Sequence, residues 1–183
     1  MPDPIFADPR LASLYDAFDG ERVDLDAYLG IAREFGVRSI LDIGCGTGCF
    51  ALLAAADGIA VTAVDPAIAS LHLARAKPGA DAVAWHEGTV DALPDLAVDL
   101  AVMTGNVAQA FLSDDEWLAT LAAIRRRLVP TGHLVFETRR VQARAWESTS
   151  RHSTPCSPRR KPLTISAFRV RRSSGSWIVV SFP

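Results

Sequence analysis

The segment Leu41-Asp42-Ile43-Gly44-Cys45-Gly46-Thr47-Gly48 limits the choice of fold more than any other part of the chain. An apolar, β-branched run from Arg38 to Ile43 leads into it, and an alanine- and leucine-rich run from Phe50 to Ala56 leads out. The first has the composition of a buried strand. The second reads as a buried helix stopped by Asp57-Gly58. Glycines at a strand-to-helix junction let the backbone turn sharply and let a ligand approach with no Cβ in the way. A second strand, Ile59 to Val64, ends at Asp65, 21 residues after Gly44. A carboxylate at that place can accept both hydroxyls of a ribose. Loop and acid together define a nucleoside site.

The alternation continues. Asp65-Pro66 opens the next helix, proline suiting a first turn where its missing N–H is no loss. Ala82 to His86 and Val98 to Met103 read as the third and fourth strands. Ser113-Asp-Asp-Glu116 matches a capping box. It starts a helix whose apolar stripe is Trp117, Leu118, Leu121, Ile124 and Leu128. Arg125, Arg126 and Arg127 lie in its last turn, where cations suit the helix dipole. Pro130-Thr-Gly132 is expected to stop that helix, and His133 to Thr138 to form a fifth strand. Ahead of the loop, Pro9 to Phe18 and Leu25 to Phe35 have helical spacing. Strands alternating with helices imply an α/β fold: a Rossmann-like, doubly wound, mostly parallel sheet with helices on both faces. Ligands of such sheets bind beyond the C-terminal strand ends, where the strand order reverses.

The charge at the loop narrows the ligand. A dinucleotide loop reads G-x-G-x-x-G. Here the third glycine comes one residue early, at Gly48, and Cys49 stands in its place. Asp42, just ahead of the glycines, would repel a pyrophosphate but could help hold an ammonium group. S-adenosylmethionine has a cationic amino acid end and no phosphate, so the sign favours it over NAD. Two other readings stand beside this one: a structural turn with Asp42 as a helix cap, and a nicotinamide-dependent oxidoreductase on a related fold.

LDIGCGTG followed by VTAVDPA resembles motifs I and II of the class I S-adenosylmethionine-dependent methyltransferases. The resemblance runs from about Tyr15 to Glu147. The segments LYDAFDGERVDLDAY, MTGNVAQAF, DDEWLATL and LVFETR are similar to a bacterial subgroup of small methyltransferase-domain proteins. The resemblance implies a methyl transfer from S-adenosylmethionine to a small-molecule acceptor. It places Asp42, Gly44, Cys45, Gly46 and Gly48 around the methionine portion and Asp65 at the ribose. Pro66, Ala67, Gly88, Thr89 and Val90 would lie at the adenine. Many members have an aspartate at the position of Thr89, a contact that Asp91 could supply instead. Thr104, Gly105 and Asn106 would lie beside the reacting methyl group. Tyr15 and Phe18 would lie in an N-terminal helix over the cofactor. Asn106 and Glu137 are the candidate catalytic residues. Asn106 could equally cap the helix that follows it, and Glu137 could be an ordinary paired carboxylate. Gly105-Asn106-Val107-Ala108 stands where amino-methylating enzymes often carry an N-P-P-Y-type sequence, which favours small acceptors over protein or nucleic acid.

Composition sets outer limits. A chain of 183 residues suggests one domain. Three cysteines fit a reducing cytoplasm rather than a disulfide framework. Met1-Pro2-Asp3-Pro4 has no secretory pattern, and no apolar run reaches bilayer length. No His or Cys pair has metal-ligand spacing, so no metal is expected.

The acids are uneven. Residues 1–147 hold 12 basic and 21 acidic residues, which disfavours nucleic acid as a partner. Residues 148–183 hold seven basic residues and no acid. The first segment is expected to be the cofactor-binding domain and the second a basic Ser/Arg/Pro-rich tail. Leu163 to Val170 and Trp177 to Phe182 could form two strands, joined across Arg171 to Ser176, as an edge hairpin. A reading-frame shift near Ser148 is the competing account of the tail. In that case the acceptor side is incomplete, and the domain holds the cofactor without turnover.

Overall fold

The computed structural model describes residues 4–19, 22–137, 166–172 and 175–182. Helices α1 (Pro4–Ala7), α2 (Pro9–Asp19) and α3 (Val23–Glu34) precede the sheet. Then follow β1 (Ser39–Ile43), α4 (Cys49–Ala56), β2 (Ala60–Asp65), α5 (Ile68–Ala76) and β3 (Val83–Glu87). The chain continues through β4 (Val98–Met103), α6 (Asp114–Arg127), β5 (Leu128–Glu137), β6 (Ser166–Arg172) and β7 (Gly175–Ser181).

The strands form one sheet in the order β3-β2-β1-β4-β5-β7-β6. The first five are parallel, and β7 runs antiparallel to both β5 and β6. The chain winds outward from β1 to β3, then returns to β4 on the other side. The order therefore reverses between β1 and β4, where a crevice opens past the strand ends.

Alternate strand residues serve opposite faces. Ile40, Val61, Ala63, Leu100 and Val102 face Tyr28 of α3, Phe50 of α4 and Leu71 of α5. Leu41, Ile43, Ala101, Met103 and Leu134 face Ala123 and Ile124 of α6. Both faces are covered, so the strands read as near-continuous apolar runs.

Ser113 caps α6 as expected, its hydroxyl accepting the Glu116 N–H at 3.2 Å. The Glu116 carboxylate reaches one residue further back than in a capping box, accepting the Leu112 N–H at 3.3 Å. Two boundaries differ from the sequence reading. α5 starts at Ile68, leaving Pro66 in the connecting loop. Pro130-Thr-Gly132 does not separate helix from strand: β5 begins at Leu128 and absorbs the triplet as an irregularity, with Thr131 at φ +70°. The register against β4 slips there, Val98 pairing Leu128 and Leu100 pairing His133.

The C-terminal hairpin lies at the sheet edge. β7 pairs β5 from His133↔Ser181 to Glu137↔Trp177. Its strands come two residues closer to the turn than expected at either side, and Leu163 to Ile165 lie outside the described residues. On the α3 side, the Phe35 ring stacks on His133 at 4.4 Å, and His133 Nδ1 lies 2.9 Å from the Ser181 hydroxyl. Among the described residues no helix is long and apolar enough to cross a membrane, and no cluster of three His, Cys, Asp or Glu is placed to hold a metal.

Candidate cofactor site

A cavity of about 820 Å³ runs along the C-terminal ends of the parallel strands. That size suits a cofactor-sized ligand. From β3 come Gly88, Thr89 and Val90, and from β2 Asp65 and Pro66. β1 contributes Gly44, Cys45, Gly46 and Thr47, and β4 contributes Thr104, Gly105 and Asn106. Phe111, Leu112, Glu116 and Ala119 complete the lining. Ten of the thirteen expected cofactor residues thus meet in one wall, from four strand ends that the sheet order brings side by side.

The glycines divide their work. Gly46 has φ +54° and no atom within 4 Å of where a Cβ would stand, so it leaves room for a ligand. Gly48 is not in the cavity wall. A Cβ there would lie 2.5 Å from the Trp85 ring and 3.0 Å from Ala74. Its place is taken by packing of α4 against β3 and α5. At Gly44 the Val107 side chain fills the notch, 2.6 Å from a Cβ position.

The loop's donors are engaged within the protein. The Gly44 and Cys45 N–H groups donate to the Val64 carbonyl, at 2.8 and 3.2 Å. The Gly46 N–H donates to Asp65 Oδ2 at 2.8 Å, and the Gly48 N–H to the Cys45 carbonyl at 2.9 Å. A phosphate-binding loop instead turns its N–H groups toward the ligand. Asp65 is tied on its other oxygen too, Oδ1 accepting the Ala67 N–H at 2.7 Å. Burial raises the Asp65 carboxyl above its ordinary range, against the opposing pull of those two N–H groups. Each carboxylate oxygen keeps further lone pairs for a ribose.

Asp42 follows the strand alternation, in phase with Ile40, and lies behind the cavity wall on the α4 face, close enough to feel the lining charges Asp65 and Arg22. It is fully buried, and neither carboxylate oxygen has a partner at good hydrogen-bond geometry, although the Ala51 N–H in the first turn of α4 lies near enough to favour its charged form. Burial, with the Asp65 charge nearby, pushes its carboxyl up to about 7, while Arg22 pulls the other way. Burial likewise raises the Cys45 thiol, helped by Asp42 and Asp65. The charged cavity-lining groups are Asp65, Asp91, Glu116 and Arg22, and Arg22 is paired with Asp24 through Nε and Nη2 at 2.8 Å each. The wall is net acidic. A buried carboxylate, an acidic wall and occupied loop donors fit a cationic, phosphate-free nucleoside.

The N-terminal contribution differs from the expectation. Phe6 of α1 lines the cavity, whereas Phe18 of α2 is 83% exposed and does not. The Tyr15 side chain lies outside the described residues. Asp16, on the next position of α2, fastens that helix to the glycine loop. It accepts the Thr47 hydroxyl, pairs with Lys77 at 2.5 Å and receives the Cys49 thiol at 3.7 Å. Partial burial would raise the Asp16 carboxyl, but Lys77 and Thr47 outweigh it and hold it low. Thr89 and Asp91 both line the cavity, and Asp91 also lies 3.5 Å from Arg126. Arg127 is buried and not a helix-end charge alone: it donates to the Ala123, Asp91 and Leu93 carbonyls. Glu137 does not line the cavity, but its Oε1 accepts the Asn106 N–H at 3.2 Å. The sequence holds no local signal for the Asp16, Arg127 or Glu137 contacts, since their partners lie more than 30 residues away or across the sheet.

Known proteins agree with this architecture. A family model described as a methyltransferase domain matches residues 40–132. The cypemycin N-terminal methyltransferase of a Streptomyces species is 31% identical over 136 residues, covering 72% of this chain and 56% of that protein. The malonyl-[acyl-carrier protein] O-methyltransferase of Serratia marcescens is 32% identical over 130 residues, covering 70% of this chain and 49% of the other. The chain therefore spans about half the length of these two relatives. In fold it is similar to a TehB-like S-adenosylmethionine-dependent methyltransferase from Corynebacterium glutamicum, with a TM-score of 0.62, 20% identity and 94% coverage of both chains. Loop, strand order and family match converge: this chain belongs to the class I S-adenosylmethionine-dependent methyltransferases.

Proposed function

We propose that the cavity holds S-adenosylmethionine and that the chain transfers its methyl group to a small organic acceptor. One observation carries the reading. The glycine loop keeps its N–H groups for Val64 and Asp65, while the walls carry acids, so the site suits a positively charged nucleoside. Bound there, the cofactor supplies an activated methyl donor. Asp65 would hold the ribose hydroxyls. Gly44, Cys45 and Gly46 would lie along the methionine portion, with Asp42 and its buried carboxylate behind them. Pro66, Gly88, Thr89 and Val90 would lie at the adenine, and Thr104 and Asn106 at the reacting end. Gly48 supports the site from outside its wall, and Tyr15 would join it from α2. The protein's task is alignment and exclusion of water, for which the buried Ile43, Phe50, Val64 and Val90 offer an apolar lining. A general base is needed only where the acceptor must lose a proton.

The two curated relatives are, by their names, an N-terminal methyltransferase of cypemycin and an O-methyltransferase of malonyl-[acyl-carrier protein]. The test follows from that spread. The protein is incubated with labelled S-adenosylmethionine and a panel of small amines, alcohols, carboxylic acids and short peptides, and label transfer is measured. Transfer to at least one small member is the expected result. Cofactor binding without transfer to any of them would favour a second reading, a domain that binds S-adenosylmethionine without turnover. With the methyl-transfer reading goes a division at Ser148, in which residues 1–147 hold the cofactor and the basic tail supplies the edge hairpin. Cytoplasmic residence fits the three cysteines.

Asp42 adds a pH dependence. Burial, with the Asp65 charge nearby, pushes its carboxyl up to about 7 in the free protein. A nearby ammonium favours the charged form, so it lowers that value in the complex. Binding then expels a proton below about pH 7, and affinity rises with pH until it levels off above 7. Affinity for S-adenosylhomocysteine is expected to be about tenfold higher at pH 8 than at pH 6. Calorimetry in buffers of different ionisation enthalpy measures the released proton directly. Asp42→Asn should flatten the profile; an unchanged profile would assign the titration to another group.

A further inference from the structure

The turn after β4 holds two left-handed residues in succession, Gly105 at φ +61° and Asn106 at φ +67°. Glycine adopts that conformation freely, and asparagine tolerates it better than other side chains do. Three contacts hold the turn. The buried Tyr28 hydroxyl donates to the Met103 carbonyl at 3.2 Å, fixing the strand end. Val107 fills the notch over Gly44, fixing the exit. Between them, Glu137 Oε1 accepts the Asn106 N–H at 3.2 Å. Thr104 to Val107 line the cavity, and Glu137 does not.

We propose that Glu137 is a positioning residue, which clamps the Asn106 backbone and so sets the β4 turn against the cofactor. It reaches the site through Asn106, not by touching substrate or moving a proton. The inference rests on the reading of the cavity as an S-adenosylmethionine site, and it differs from a catalytic role in a measurable way. A clamp needs an oxygen acceptor at the Oε1 position. A general base needs a titratable carboxylate. Glu137→Gln keeps the first and removes the second. Glu137→Ala removes both, and Glu137→Asp keeps the charge but shortens its reach.

Two readouts are compared across these variants. The first is amide hydrogen exchange at Asn106 in the ligand-free protein, followed by NMR. The second is the Kd for S-adenosylhomocysteine. Glu137→Ala and Glu137→Asp should exchange about tenfold faster at Asn106 and bind about fivefold more weakly, with Gln restoring both to within about twofold of wild type. Wild-type exchange in Glu137→Ala would overturn the clamp, as would Glu137→Gln behaving like alanine. Should alanine fail to fold, the aspartate and glutamine pair decides the same question. Should the wild type bind no S-adenosylhomocysteine, the cofactor reading falls, and Asn106 exchange alone still tests the clamp.

Discussion

Asp65→Ala is expected to weaken S-adenosylhomocysteine binding by roughly one to two orders of magnitude. The carboxylate is 7% exposed, at the end of β2 in the cavity wall. Its two oxygens already accept the Gly46 and Ala67 N–H groups, so its direction is fixed before any ligand arrives. A hydrogen bond to a charged acceptor contributes about 1.5–3 kcal/mol, and each 1.4 kcal/mol is about tenfold in affinity. Alanine removes the acceptors for the ribose and frees the Gly46 N–H as well, which loosens the loop. Asp65→Asn is the gentler variant, retaining one acceptor oxygen. Calorimetry on the three proteins separates the effects. An alanine variant that binds as the wild type does would remove Asp65 from the site.

The second large effect concerns stability, not binding. Gly48→Ala puts a Cβ 2.5 Å from the Trp85 ring and 3.0 Å from Ala74, at a residue with φ +80°. The backbone conformation costs an alanine about 1–2 kcal/mol, and forcing an atom into a packed site about 1–3 kcal/mol. A destabilisation of about 3 kcal/mol lowers the Tm by about 6–12 °C in a chain of this size. Gly46→Ala meets no atom within 4 Å, so only the backbone cost applies there. Thermal denaturation should therefore rank Gly48→Ala well below Gly46→Ala, whereas ligand affinity should suffer more in Gly46→Ala. Equal Tm values would contradict this division of roles between the two glycines.

The contrast shows how far the sequence could be read. Periodicity and punctuation located the five parallel strands, because each is an apolar run between polar or glycine-rich breaks, whereas the C-terminal hairpin was one of two accounts of the tail. The β5 boundary escaped, because Pro130-Thr-Gly132 is a helix stop by local rules, yet the sheet tolerates it as an irregularity against β4. Ten site residues were legible for one reason: strand ends at a topological switch converge, whatever their side chains. Asp42 was readable as an important acid but not as a buried one facing α4, although its two-residue phase with Ile40 held that information. Phe18 was expected over the cofactor and stands in solvent; Phe6 lines the cavity instead, and no periodicity distinguishes them. Asp16, Arg127 and Glu137 were legible only as residue types. Their partners, Thr47, Leu93 and Asn106, are set by packing of distant elements, which a local pattern does not encode.

The central claim is that a glycine loop with internally bonded N–H groups, set among acids, selects a cationic nucleoside over a phosphorylated one. Titrating the wild-type protein with S-adenosylmethionine, then challenging the complex with NAD, tests it most directly. Saturable one-to-one binding that excess NAD does not displace is the predicted result. Displacement by NAD, or tighter binding of NAD to the free protein, would contradict it.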